Sequence, residues 1–159
     1  MTLETQFVEP VDASAAEESY SKPLVSPISG LANDYLNLFN ELVMILEQLP
    51  VMPELYEDLC VWRPVSYQEY FRKSALPGRH SALAAYEVLS PTFRKRFEAF
   101  VAELDVIALA SVASVRLQFR DGPPADMARL TETCQRSGEK MRHILVRASR
   151  LVNYANLEG

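Results

Sequence analysis

Glycine is scarce in this chain, which has only five among 159 residues. Because a fold with many tight turns needs glycine at positions of positive φ, this scarcity argues against a β-rich architecture. Apolar residues make up 48% and charged residues 23% of the chain, so its composition is that of an ordinary globular protein. At this length we expect one domain, with a core large enough to fold without disulfides or a metal. The composition therefore favours a single helical domain.

Cysteine and histidine are almost as rare, with two of each. Cys60 and Cys134 are far apart and lack metal-ligand spacing, which indicates small buried apolar groups in a reducing compartment. Neither His80 nor His143 is followed, three or four positions later, by a carboxylate or a second histidine. Glycine-rich phosphate loops and the Gly-x-Ser-x-Gly nucleophile motif are also missing. We therefore expect no metal, no cofactor and no catalytic residues, which makes an enzyme the less favoured interpretation.

Long apolar runs are missing as well. No stretch approaches the ~20 apolar residues that a transmembrane helix requires, and no basic segment leads into an apolar one at the N-terminus. We expect a soluble, cytoplasmic protein without a membrane partner. The net charge is −5, and five acidic residues that precede Lys22 account for it. Because the chain as a whole is acidic, no nucleic-acid partner is expected.

The acidic residues Glu4, Glu9, Asp12, Glu17 and Glu18 define an N-terminal segment that we call the acidic arm, residues 1–28. It combines these charges with Ser, Ala and three prolines, and its apolar residues follow neither structural period. Such a segment buries too little surface to offset the entropy of ordering, so we predict a disordered arm followed by one helical domain, 29–159. A solubilising tail and a partner-binding segment both remain open.

Three long stretches have helical periodicity. The first, 31–49, ends at Pro50, and the second, 91–119, begins after Ser90 and ends at the Asp-Gly-Pro-Pro turn of 121–124. The third, 127–155, has apolar or small residues at alternating steps of three and four. These stretches predict an all-α fold, a helical bundle of three long helices. The seam of the third helix consists of Met127, Leu130, Cys134, Ser137, Met141, Ile144, Ala148, Leu151 and Ala155.

Short segments between these helices predict a layer of short helices, at 53–62, 66–73 and 80–89. Ser66 followed by Glu69 is a capping-box pattern for the second of them. Aromatic residues are concentrated here, and they are candidates for lining a pocket or an interface. Alternatively they anchor short helices that would be unstable without tertiary packing. These residues are Trp62, Tyr67, Tyr70, Phe71 and Tyr86.

A row of basic side chains follows the third long helix on the side opposite its seam. From 127 to 155 there are six Lys or Arg against two Glu, a local charge of +4 in an acidic protein. We interpret this row as a docking surface for an acidic protein partner, including the arm of another copy. A solvated face paired with nearby carboxylates is the alternative. We call it the basic ridge: Arg129, Arg136, Lys140, His143, Arg147 and Arg150.

The preferred interpretation is a non-enzymatic protein-binding helical module, either a regulatory or adaptor protein or a small subunit of a larger assembly. The alternative is a signal-transduction phosphotransfer domain that uses His143, or a helical domain that binds a small ligand. Residues 144–147 are Ile, Leu, Val and Arg, so no small residue follows His143 to admit a receiver domain. Homo-oligomerisation is also expected to be possible, because the seam of 127–155 can pair with a copy of itself.

Overall fold

A computed structural model describes residues 24–155 of the chain, which form six α-helices. Helices and 3₁₀ turns account for 73% of these residues, and the isolated bridge Val25–Ala32 is their one extended pairing. The predicted all-α class is therefore confirmed. Most of the acidic arm, residues 1–23, lies outside the described residues. The helices are α1 Asn37–Gln48, α2 Tyr56–Val61, α3 Tyr67–Lys73, α4 Arg79–Glu87, α5 Pro91–Gln118 and α6 Met127–Tyr154.

The two longest helices, α5 and α6, have 28 residues each and pack side by side. Arg147 lies over the ring of Phe100 near the start of α5, whereas Gln118 at its end donates a hydrogen bond to Thr133. The earlier residue of α5 thus contacts the later residue of α6, and the later residue of α5 contacts the earlier residue of α6. The two helices are therefore antiparallel. Side-chain caps at Ser90 and Asp126 define where the two helices begin.

The first long helix is shorter than 31–49. A 3₁₀ turn, Asn33–Leu36, precedes α1, which has only 12 residues. The cause is tertiary: Ala32 is held extended by its bridge to Val25, and its N–H donates to the Tyr67 hydroxyl at 2.8 Å. Because these contacts hold Ala32 in an extended conformation, the chain enters α1 through a 3₁₀ turn, which is tighter than a turn of α-helix. The α1 helix then packs against α6.

The short helices α2, α3 and α4 place aromatic side chains in the core. Ser66 accepts a hydrogen bond from the backbone N–H of Glu69 at 3.2 Å, which confirms the predicted start of α3. Trp62, Phe71 and Tyr86 are buried in one continuous cluster with residues of the three longer helices. This packing compensates for the low intrinsic stability of helices with six to nine residues.

Gly138 lies inside α6, where this helix approaches α1. A Cβ atom at this position would lie 3.7 Å from Glu47 Cγ and 4.0 Å from Val43 Cγ1, which are ordinary van der Waals distances. Alanine is favoured over glycine inside a helix by about 0.5–1 kcal/mol. We therefore expect Gly138→Ala to raise the free energy of unfolding by about this amount, measured by urea denaturation.

Gly30→Ala is the matched control, because this glycine has a φ of +78° and a Cβ there would lie 3.1 Å from Leu89 Cδ2. A left-handed backbone and a tight contact both penalise alanine, so this variant should lose stability. A loss of stability in Gly138→Ala as well would mean that α1 and α6 pack too closely at this position to accommodate a Cβ atom.

Candidate functional site

The basic ridge forms the solvent-facing side of α6. All six of its residues are exposed. Leu130, Cys134, Met141 and Leu151 are buried on the opposite side of the helix, packed towards α1 and α5. The seam that was expected to allow pairing with another copy is therefore used within the chain.

A groove of about 430 Å³ runs between α5 and α6 beside the ridge. We call it the basic groove. One wall is apolar and comes from α5, through Val106, Ile107 and Ala110. The other wall comes from α6 and carries the cationic side chains Arg129, Arg136 and Lys140, with Glu132 among them. Small hydroxyl side chains lie between the two walls: Ser111, Ser114, Thr133 and Ser137.

Two of these hydroxyl groups are already engaged within the protein. The Ser111 hydroxyl donates to the carbonyl oxygen of Ile107 at 2.6 Å. The Thr133 hydroxyl donates to the carbonyl oxygen of Arg129 at 2.9 Å and accepts from Gln118 Nε2 at 3.0 Å. These bonds fix the side chains between α5 and α6, so the space between the walls is defined by ordered groups.

The cationic wall retains most of its charge. Arg136 pairs with Glu132 one turn away at 2.8 Å, but both side chains are exposed, and such a pair is worth only ~0–1 kcal/mol. Within residues 24–155, Arg129 and Lys140 form no ion pair with a carboxylate. An acidic group that enters the groove would therefore meet cations that have little competition from the protein itself.

The other three residues of the basic ridge lie outside this groove. Arg147 packs over the ring of Phe100, with its guanidinium carbon 5.1 Å from the ring centre. His143 and Arg150 are exposed farther along α6 and do not line the groove. The structure thus brings three of the six ridge residues together and leaves His143 apart from them.

The predicted aromatic site is distributed between the core and a second cavity. Trp62 and Phe71 are buried, and Trp62 Nε1 donates to the carbonyl oxygen of Leu38 at 2.8 Å, whereas Tyr70 is half-buried. Tyr67 and Tyr86 line a cavity of about 390 Å³. Their rings stack on each other at 4.5 Å, so each ring covers one face of the other.

This second cavity is acidic. Glu98 accepts a hydrogen bond from the Tyr86 hydroxyl at 2.7 Å. Asp105 also lines the cavity, and its Oδ1 is buried without a hydrogen-bond partner among the described residues. Burial raises the pKa of this carboxyl group. The cavity therefore has the opposite charge from the basic groove.

Several kinds of chemistry have little support in the described part of the chain. Residues 24–155 contain no group of three or more His, Cys, Asp or Glu side chains able to hold a metal ion. Burial raises the pKa of the Cys134 thiol to about 11, which leaves it a poor nucleophile near neutral pH. Over the same residues, no helix combines the length and apolarity that crossing a bilayer requires.

Comparison with protein-family models, with curated proteins and with solved structures gives no match to this chain. Functional inference therefore depends on the geometry and charge of the groove. The apolar wall was not foreseen from the sequence, although a signal for it exists. Helix α5 has more apolar positions than one buried face needs, and Val106 falls outside the face that packs on α6.

Proposed function

We propose that this chain is a non-enzymatic, cytoplasmic protein-binding module whose basic groove receives an acidic amphipathic helix of a partner protein. The observation that carries the proposal is the pairing of one apolar wall with one cationic wall in a single groove. An amphipathic helix lays its apolar face into such a groove and directs its acidic edge to the cations. The chain would act as a regulatory or adaptor protein, or as a small subunit of a larger assembly.

In this proposal α1, α5 and α6 act as a three-helix bundle that holds the groove walls in place, with α2, α3 and α4 as a supporting layer. The acidic arm competes weakly with the partner for the same cations. Its charge has the sign that the groove prefers.

The two walls have different roles in binding. Exposed ion pairs add little affinity, so Arg129, Arg136 and Lys140 would mainly attract and orient the acidic partner. Affinity comes from apolar surface removed from water, at roughly 25 cal/mol per Å², on the Ile107 and Ala110 side. The association rate should therefore be higher at low salt, whereas the apolar contribution to the affinity should persist at high salt.

Reversing two charges of the groove tests this function. We expect the double variant Arg136→Glu, Lys140→Glu to recover at least about tenfold less partner in quantitative affinity capture from the native cell, a loss of roughly 1.4 kcal/mol or more. The reason is that an acidic helix would then meet like charges beside the apolar wall.

The matched control is Arg72→Glu, Arg120→Glu, which makes the same change in net charge at exposed positions outside the groove. Partner recovery should be close to that of the unmodified chain. Equal recovery by the groove variant and the control would remove the basic groove from the function.

A further inference from the structure

Helix α5 has a second apolar face that the rest of the described chain leaves uncovered. Val106, Leu109 and Leu117 are 68%, 53% and 63% exposed. Exposed alanines precede them and lie between them at helical spacing. The outward face of a surface helix is normally polar, so this face is unusual for a helix that borders only solvent. We call it the outer stripe: Ala99, Ala102, Val106, Leu109, Ala113 and Leu117.

We propose that the outer stripe is a self-association surface, which pairs with the outer stripe of a second copy in an antiparallel dimer. A two-fold axis beside Ile107 and Ala108 brings Val106 against Leu109 of the second copy. The same axis places Ala102 against Ala113 and Ala99 against Leu117. Larger side chains meet at the centre, and alanines allow close approach on both sides of it.

Charge at the edge of the stripe selects this orientation. With about 100° of rotation per residue, Glu98 and Arg116 fall on the same edge, roughly 80° from Val106. In an antiparallel dimer, the two-fold axis places the same edge of both helices side by side. Glu98 therefore lies beside Arg116 of the second copy, and symmetry gives two such pairs in the dimer. A parallel pair would instead bring Glu98 beside Glu103 of the second copy, and like charges in such positions repel.

The structure already orients one of these charges. Glu98 Oε1 accepts a hydrogen bond from the hydroxyl of the buried Tyr86 at 2.7 Å. This contact restricts the carboxylate and leaves its second oxygen for Arg116. Because less side-chain entropy is then lost on pairing, the ion pair is more favourable than one between two mobile side chains.

The pairing has a consequence for the basic groove, and this consequence alone rests on the proposed function. Ile107, Ala110 and Ser114 lie on the edge of α5 opposite Glu98. Since the two-fold brings like edges together, both grooves would open on the same side of the dimer. Val106 belongs to both surfaces, so the second copy would form the outer rim of each groove. A partner with two acidic helices would then bind both grooves.

Sedimentation equilibrium of the full chain tests the pairing. We expect a reversible dimer between low micromolar and about 500 µM, and Leu109→Glu should raise the dissociation constant at least about 100-fold because it places two carboxylates near the two-fold axis. Val88→Glu, at an 83% exposed position outside the stripe, should leave dimerisation unchanged. A monomer across this range, or equal effects of the two variants, would overturn the proposal.

Cross-linking tests the orientation in a Cys60→Ser background. A mixture of Ala102→Cys and Ala113→Cys chains should form a mixed disulfide, because the antiparallel pair makes these positions neighbours. Ala102→Cys alone should not cross-link, since its two copies would lie about 16 Å apart along the helices. Self-cross-linking of Ala102→Cys would contradict the antiparallel interface. So would a dimer in which Ala102→Cys cross-links neither with itself nor with Ala113→Cys. Neither readout involves the acidic partner, so failure here is distinguishable from failure of the proposed function.

Discussion

Replacing Tyr35 with alanine is expected to lower the free energy of unfolding by about 3–5 kcal/mol. Tyr35 is fully buried, and its ring makes edge contacts with four other aromatic rings at centroid distances from 5.3 to 6.0 Å. Its hydroxyl donates to the carbonyl oxygen of Val65 at 2.7 Å. Alanine would leave a cavity at this point and an unpaired carbonyl. The four rings are Phe39, Tyr67, Tyr70 and Phe97.

Two further variants separate the ring from the hydroxyl. Tyr35→Phe keeps the ring and should lose only about 1–2 kcal/mol, because Val65 loses its donor while the packing remains. Tyr154→Ala, at a 67% exposed position, should change stability by less than about 0.5 kcal/mol. Urea denaturation followed by fluorescence of Trp62, the single tryptophan, measures all three. If alanine and phenylalanine at position 35 cost the same, the ring would not be central to the core.

Local signals were sufficient to place the starts of α3 and α5 and the end of α5. Ser66, Ser90 and the turn at 121–124 act on their own neighbours, so the chain near each of them contains the information that places the boundary. The start of α1 is different. Its conformation depends on the contacts of Ala32 with Val25 and with the Tyr67 hydroxyl. Tyr67 is 35 residues from Ala32, and no local pattern encodes that contact.

The same distinction applies to the candidate site. The basic ridge follows from spacing alone, because residues seven apart share one side of a helix. The basic groove requires knowledge of which side of α5 faces α6, and α5 is apolar on two sides. Periodicity places Phe97, Leu104 and Val115 on one face of α5, and all three are buried. Periodicity cannot show that Val106 and Leu109 form a second, exposed apolar face, because apolar residues occupy exposed as well as buried positions.

Raising the pH above 10 is expected to destabilise the fold progressively through its buried tyrosines. Burial raises the pKa of Tyr67 to about 12. Burial, and then the charge of Asp105, raises the pKa of Tyr35, while burial and the hydrogen bond to Glu98 raise that of Tyr86. The unfolded chain, with ordinary tyrosine pKa values near 10, therefore loses these protons first. The stability from each neutral phenol is complete below about pH 10 and is lost as the pH rises towards the folded value.

Tyr67→Phe isolates one of these contributions. Between its unfolded and folded pKa values, each of these tyrosines lowers the free energy of unfolding by about 1.4 kcal/mol per pH unit. Tyr67 alone therefore accounts for a loss of roughly 2–3 kcal/mol between pH 10 and 12. The variant should be less stable than the parent near pH 8, since the N–H of Ala32 loses its acceptor, yet it should lose less stability on alkalinisation. Urea denaturation at a series of pH values, with tyrosinate absorbance as a second signal, would show the two curves converging. Parallel curves would mean that Tyr67 ionises as readily in the fold as in the unfolded chain.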